Sequence, residues 1–498
     1  MTSSTAPLGD VITLDGSFPG TREELGGKAY SVNKMRAMGL PVPPAFALPT
    51  HVCSIYHDNG RSLPDGIWQD VLTHLRRLES ETGRRFGAGP SPLLVSVRSG
   101  AAQSMPGMMD TVLNLGLNPE LCAALAEETG DPQWANDTWE RFCHSYAAIV
   151  AGTPGVQPPS DPLEQLRAAI GAVFDSWTNE RVKAYRARHN LGAGDGTAVT
   201  VQAMVFGNRD EQSGTGVMFS RDPATGDNVL YGEWLAEAQG EDVVSGEKTP
   251  AALETVGEVL PTTYPELERI AVTLEREHRD LVDIEFTVES GRLYVLQCRA
   301  GKRSPRAAVR VAVDLVREGV ITPDEALTRV SAEQAASLAN TDGVRAGHAV
   351  LATGLGAGPG VAVGQAVNDI DEALDLAAAG TPVVLVRPST APDDVPAMFE
   401  SVAVVTELGG ATSHAALVCR EIGLPCVVGA GAGTVATLTG LTVTVDGATG
   451  SVYEGDALHS GDEAGADEHV SELLSYLPEH VPVDHPLAAL RAGRLERA

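Results

Sequence analysis

The stretch LVDIEFTVESGRLYVLQCR, residues 281–299, decides how the first half of the chain is read. Two runs rich in alternating apolar residues flank Glu289-Ser290-Gly291, which is the pattern of two antiparallel strands joined by a tight turn. Successive side chains of a strand point to opposite faces. One face then carries Ile284, Phe286, Val288, Tyr294, Leu296 and Cys298 and is expected to be core. The other gathers Asp283, Glu285, Gln297 and Arg299, with Asp283 opposite Gln297 if the turn centres on Ser290. Magnesium takes carboxylate and phosphate oxygens, and a guanidinium forks onto phosphate. Such a face can wall a magnesium–nucleotide site; the same pattern also serves as a solvated strand face with a surface ion pair.

Around this hairpin, composition sets wide bounds. The chain has 498 residues, which suits about three or four compact units at roughly 100–200 residues per domain. Hydrophobic residues make up 43% and charged residues 20%, an ordinary globular balance. Acidic residues number 66 against 36 basic ones, for a net charge of −30. That charge repels nucleic acid and anionic membrane, so neither is an expected partner. It reads first as a source of solubility, and any nucleotide site must bring its own local Lys, Arg or metal. The six cysteines form no Cys-x-x-Cys pair and no zinc or disulfide pattern, so reduced thiols in a cytoplasmic protein are expected. The N-terminus lacks the charged and apolar regions of a signal peptide, and no apolar run reaches the length of about 18 residues that a membrane span needs.

Short β-like runs at 93–97, 198–206, 283–288 and 293–299 alternate in the first 300 residues with helical patterns such as 165–188. Helices are expected over 304–340, one at 307–318 and one opened by Thr322-Pro323, an N-cap followed by Pro at the first helical position. From 345 to 455 short β runs return, at 383–386, 403–406, 426–428 and 441–445, with Gly-rich turns. From about 457 the chain is polar and acidic and reads as a flexible tail ending in one or two short helices.

Three further segments carry chemistry-bearing residues. Strand 93–97 runs into Arg98-Ser99-Gly100 and then the Ser-, Gly- and Met-rich loop 104–111. Backbone N–H groups of such a loop can cradle phosphate, and an Arg at a strand end can hold charge on a transferring phosphoryl group; taken alone, the loop reads first as a surface loop whose methionines cover apolar surface. Lys28 follows Gly26-Gly27 without the spacing of a Walker loop. In Gly409-Gly410-Ala411-Thr412-Ser413-His414, glycines precede Thr412, read as the N-cap of a helix with an apolar stripe of Ala415, Val418, Cys419 and Ile422 that ends at Gly423. His414 then lies in the first turn. The dipole of a helix N-terminus disfavours a cationic ring, keeping the imidazole neutral and nucleophilic, and orphan N–H groups there suit a phosphate carried on it.

Together these segments resemble the pyruvate phosphate dikinase family. The resemblance runs over about residues 25–455 and includes Leu25-Gly26-Gly27-Lys28, Gly39-Leu40-Pro41-Val42-Pro43, Ser96-Val97-Arg98-Ser99-Gly100, Val201-Gln202-Ala203-Met204, Ser213-Gly214-Thr215-Gly216, Ala238-Gln239-Gly240-Glu241-Asp242 and the His414 segment. It implies an α/β multidomain chain: an ATP-grasp nucleotide-binding domain at 1–303, a helical linker at 304–344, a swivelling α/β phosphohistidine domain at 345–456, and an acidic tail with short helices at 457–498. It further implies that Lys28, Arg98, Gln297 and Arg299 hold ATP, that Asp283 and Glu285 hold its Mg2+, and that His414 carries the phosphoryl group with Arg98 assisting. The family's reaction sends pyrophosphoryl from ATP to His, then the outer phosphoryl to inorganic phosphate, then the remaining one to pyruvate to give phosphoenolpyruvate. Two departures are Ala29-Tyr30-Ser31 for the usual Gly-Ala-Asn and Ala411 for the usual Met. The family's pyruvate-binding barrel, about 250 residues in such folds, does not fit into residues 457–498. The resemblance then implies a separate barrel protein as partner. Other readings are a different small-molecule acceptor, as in rifampin phosphotransferases, and a non-catalytic nucleotide-binding regulator.

Overall fold

The computed structural model describes residues 9–477 apart from 103–110, 180–181, 184–185, 187–195, 245–249, 332–333, 335–341, 345–346, 392–393, 412 and 461–467. The Met-rich loop 104–110, Thr412 and most of 180–188 therefore lie outside the described residues. The chain groups into two units, residues 1–209 with 293–297, and 210–292 with 298–498.

In the first unit, helix starts are written locally. Asn118, Asp131 and Asp161 each accept a backbone N–H of the following turn, and each is followed by Pro at the first helical position, opening helices Pro119–Thr129, Pro132–Ser145 and Pro162–Ser176. The helical pattern expected at 165–188 starts within helix Pro162–Ser176, and Val182, Lys183 and Arg186 are again helical. Helix Asp65–Thr82 buries Ile67, Val71, Leu75 and Leu78, one per turn on a single stripe. These helices cover a sheet of β1 (Ile12–Thr13), β2 (Ala45–Leu48), β5 (Val95–Gly100), β6 (Thr111–Leu115) and β7 (Ala198–Ala203) in the order β1-β2-β7-β5-β6. The two-residue strands β3 (Arg85–Phe86) and β4 (Pro92–Leu93) pair beside it. Strand 93–97 accordingly begins at β4 and continues as β5, with Leu94 between them.

The second unit holds two larger sheets. The first has the order β10-β9-β8-β11-β12, from β8 (Gly214–Phe219), β9 (Tyr231–Ala236), β10 (Ala251–Ala252), β11 (Val282–Glu289) and β12 (Arg292–Ala300). The expected hairpin is present. Ser290 and Gly291 both have positive φ, 48° and 77°, as a two-residue turn matched to strand twist requires. The expected core face is correct for Ile284, Phe286, Val288 and Cys298, while Tyr294 and Leu296 are only half-buried. On β12 Leu293, Val295 and Gln297, from the face expected to be open, are buried as well. The Val295 N–H donates to Pro41 O at the open edge of this strand, and residues 293–297 group with the first unit.

The second sheet has the order β14-β21-β20-β16-β17-β18-β19-β15. Its middle strands β16 (Val361–Val367), β17 (Val383–Arg387), β18 (Ala403–Thr406) and β19 (Cys426–Val428) run parallel, with helices Ile370–Ala378, Val395–Glu400 and His414–Ile422 between them. Flanking strands are β14 (Val350–Thr353), β15 (Leu355–Gly356), β20 (Thr442–Asp446) and β21 (Ser451–Glu454). The chain enters this domain through β13 (Asp342–Val344) and leaves through β22 (Leu458–Ser460), and these two pair antiparallel.

Two capped helices precede the domain. Ser304 caps Pro305–Arg317, and Thr322 with Glu325 forms a capping box on Pro323–Thr328. The segment read as a flexible tail ending in one or two short helices contributes helix Glu468–Ser475. Leu473 and Leu477 are buried in one cluster with Val309, Ala312, Leu315 and Ala326, while Arg317 pairs with Glu468 and Glu472. Apolar residues at 470, 473, 474 and 477 form the helical stripe that seats it. No helix among the described residues is long and apolar enough to cross a membrane.

Arg221, at the end of β8, is fully buried and donates to Glu275 through Nε (3.1 Å) and Nη2 (2.8 Å) and to Glu318 through Nη2 (2.7 Å). It joins helix Thr263–His278 to the end of helix Pro305–Arg317. Removing one partner of such a buried cluster leaves an uncompensated charge, at about 3–5 kcal/mol. Arg221→Met is therefore expected to lose about that much stability in urea unfolding, and Arg221→Met with Glu275→Gln to lose less. Equal losses in the single and double variants contradict this account.

Candidate active site

In the first unit, the helix Arg22–Ala37 breaks at Gly26, whose φ is 72°. A side chain there would lie 1.8 Å from Gly100 O, so only glycine lets this turn rest on the end of β5. The Gly27 N–H donates to Ala101 O at 2.8 Å. Lys28 is thereby held beside Gly100, two residues from the half-buried Arg98, which pairs across the sheet with Thr111 and Thr200. The fold brings these two cations to one strand end. Gln297, buried at 7% exposure, belongs to the same unit.

The second unit holds the other residues. Asp283 and Glu285 stand two apart on β11 and so share a face. Asp283 is 4% exposed; its Oδ2 accepts from Arg299 Nε at 2.8 Å, and its Oδ1 has no hydrogen-bond partner among the described residues. Burial raises its carboxyl above the ordinary range, while the Arg299 guanidinium works against that rise. No group of three or more His, Cys, Asp or Glu among the described residues could hold a metal ion by itself. Two carboxylates with an open, buried oxygen fit the way magnesium binds beside nucleotide phosphates, with phosphate and water completing its shell. Asp283 and Glu285 are the residues that would hold it.

His414 begins helix His414–Ile422. Ser413, not Thr412, occupies the N-cap position, in extended conformation and without a side-chain cap bond. The far end is as expected: Gly423 is left-handed at φ 71° and donates to Cys419 O. The ring's Nδ1 lies 3.0 Å from Thr390 Oγ1, and Nε2 has no partner among the described residues. Burial lowers the ring's pKa, opposed by the charge of Asp394. Asp394 is itself buried, accepting from the Ala391 N–H at 2.8 Å and standing 3.3 Å from Arg387. In the tautomer whose Nδ1–H donates to Thr390, the Nε2 lone pair is left free to attack an electrophile.

The glycines before the histidine have a steric reason. The Ala411 N–H donates to Glu233 Oε1 at 2.7 Å, and a side chain at Gly410 would fall 2.1 Å from that oxygen. Thr390, Asp394 and Glu233 escape sequence reading. Pro388-Ser389-Thr390 marks a loop after a strand, but no local signal ties it to a histidine 24 residues on.

A family model described as "Pyruvate phosphate dikinase, AMP/ATP-binding domain" matches residues 59–261 and 251–319. A second, "PEP-utilising enzyme, mobile domain", matches residues 380–450. The chain is 40% identical over 503 aligned positions to "Pyruvate, phosphate dikinase" of Rhizobium meliloti (strain 1021), covering 87% of this chain and 56% of that protein. It is 38% identical over 495 positions to the Clostridium symbiosum protein of the same name, with the same coverage of 87% and 56%. To the chloroplastic pyruvate, phosphate dikinase of Flaveria pringlei it is 42% identical over 452 positions, covering 81% of this chain and 47% of that one. The chain thus spans about half the length of these relatives.

The geometry at His414 sets an expectation for its titration. A ring whose folded pKa is lowered binds fewer protons than the unfolded chain just below the ordinary value of 6.5. Its contribution to stability is fully present above that value and is lost as pH falls from there through the folded midpoint. The imidazole signals of His414, followed by NMR, are expected to titrate below 6.5, and a midpoint at or above it contradicts the burial described.

Proposed function

The chain belongs to the pyruvate phosphate dikinase family, and on that footing we propose that it transfers phosphoryl from magnesium-bound ATP to its own His414. The observation that carries the reading is the His414 ring: neutral by burial, fixed at Nδ1 by Thr390, with Nε2 unpartnered among the described residues. Such a ring suits nucleophilic attack and no evident structural need.

In this reading Nε2 attacks the β-phosphorus of ATP, the bond from that phosphorus to the α-phosphate oxygen breaks, and AMP leaves with the oxygen. Inorganic phosphate then takes the outer phosphoryl as pyrophosphate, leaving one phosphoryl on the ring. Positive charge grows on the imidazole as the N–P bond forms. The Nδ1–H bond to Thr390 strengthens with it, and the nearby negative charge of Asp394 lowers its energy. Lys28, Arg98, Gln297 and Arg299 are the proposed ATP contacts, with the guanidinium groups spreading charge on the transferring group. The metal, held by Asp283 and Glu285, would supply charge neutralisation at the phosphates. The phosphoryl then passes to pyruvate, as the relatives' printed name indicates, or to another acceptor, bound by a separate partner. A cytoplasmic location is part of the same proposal.

Purified protein incubated with β-labelled ATP and phosphate is expected to carry label at His414. His414→Ala should carry none, and equal labelling of both refutes the reading. Asp283→Asn should slow labelling by about a hundredfold, the scale of losing one electrostatic contact in a phosphoryl-transfer site. Thr390→Val should slow it by about tenfold, the worth of one hydrogen bond to a charged group.

A further inference from the structure

The peptide group of Ala411 is held on both sides. Its N–H goes to Glu233 of β9 at 2.7 Å, and its C=O accepts from Nη2 of Arg420, in the last turn of the His414 helix. The Arg420 guanidinium stands 5.4 Å from the centre of the Phe219 ring. Phe219 is the cross-strand partner of Asp283, so the two side chains share a face of the sheet. Arg420 thus reaches from the histidine's own helix to β8, the strand paired with the one that carries the carboxylates. Its Nε has no partner among the described residues. Burial lowers the pKa of this arginine, and the charges of Asp283 and Glu233 oppose that; the same arginine charge pulls the Asp283 carboxyl down.

A guanidinium withdrawn from water needs negative charge close by. Here that charge comes from Glu233 and from Asp283, one of the two residues proposed to hold the metal. Asp283, Glu285 and Arg299 sum formally to one negative charge. A divalent cation bound there turns the sum to one positive charge, which faces Arg420 with like sign. If the cation arrives with an ATP tetra-anion, the sum becomes three negative charges.

We propose that Arg420 is a positioning residue that seats the His414 helix on the sheet that holds the carboxylates and makes that seating follow the net charge bound there. The seat is closed over bare carboxylates, released by the divalent cation alone, and restored by the cation–nucleotide complex. The histidine is then presented when triphosphate is in place and withheld from a site holding metal only. This rests on the assignment of Asp283 and Glu285 as metal ligands. It is read without phosphoryl transfer, so its failure and the failure of His414 labelling are separate results.

The Ala411 amide reports the seat directly, because its bond to Glu233 exists only when the seat is closed. Hydrogen exchange of this amide in the wild-type chain is expected to quicken by at least about tenfold with magnesium alone. It should return to its slow value with magnesium and a non-hydrolysable ATP analogue. In Arg420→Met the amide should exchange fast in all three conditions, and Arg420→Lys, which keeps the charge, should regain the dependence. Manganese alone, followed by its paramagnetic resonance signal, should bind Arg420→Met about tenfold more tightly than wild type. Wild-type exchange unmoved by magnesium alone overturns the proposal without recourse to any variant. Equal manganese affinity in wild type and Arg420→Met overturns it as well.

Discussion

Asp283 is a carboxylate held almost wholly out of water, and taking such a charge from solvent costs several kcal/mol unless cations are brought to it. The surrounding structure answers that requirement. Arg299 is delivered by the other strand of the same hairpin, at 2.8 Å from Oδ2. Arg420 is delivered from a different sheet domain, on the helix that begins with His414. One oxygen is still left without a protein partner among the described residues. A buried anion that is paired but incompletely satisfied is a poor structural element and a good ligand for a metal. The two-residue turn at Ser290-Gly291, the buried β11 and the glycines that let Glu233 approach Ala411 all serve to bring groups to this point.

The histidine is built on a different balance. Its ring is kept uncharged by burial, yet Asp394 lies near enough to favour positive charge on it. That combination gives a nucleophile that is neutral before reaction and stabilised once it has reacted. Thr390 contributes orientation, because a hydroxyl at Nδ1 leaves only Nε2 available. The relatives named pyruvate, phosphate dikinase extend over about twice the length of this chain, so its 498 residues correspond to the part of them that matches an ATP-binding domain and a mobile domain.

What could be read from the sequence was whatever depends on near neighbours. The hairpin follows from alternation and from Ser290-Gly291, and the helix at Pro323 from Thr322 and Glu325, three residues apart. The His414 helix follows from its glycines and apolar stripe, although its start is set by Ser413 rather than Thr412. Features fixed by distant partners were not legible. The second strand of the hairpin looked solvated on one face because nothing in its own residues announces that Leu293, Val295 and Gln297 are buried. The short helix of the tail was expected but its seat was not, because the partners of its apolar stripe, Val470, Leu473, Leu474 and Leu477, lie about 160 residues earlier in the linker helix, around Val309 and Leu315. Glu233, Thr390 and Arg420 are ordinary polar residues until the fold sets them beside Ala411 and His414.

The pairing of β13 with β22 gives the eight-stranded domain a single doorway. Asp342 stands opposite Ser460 and Val344 opposite Leu458, so the points where the chain enters and leaves are about 5 Å apart. A segment whose two ends meet so closely can be inserted in a host loop, or removed from one, without stretching what lies on either side. The domain is in that sense a cassette: the rest of the chain need supply only a narrow gap bridged by two short strands.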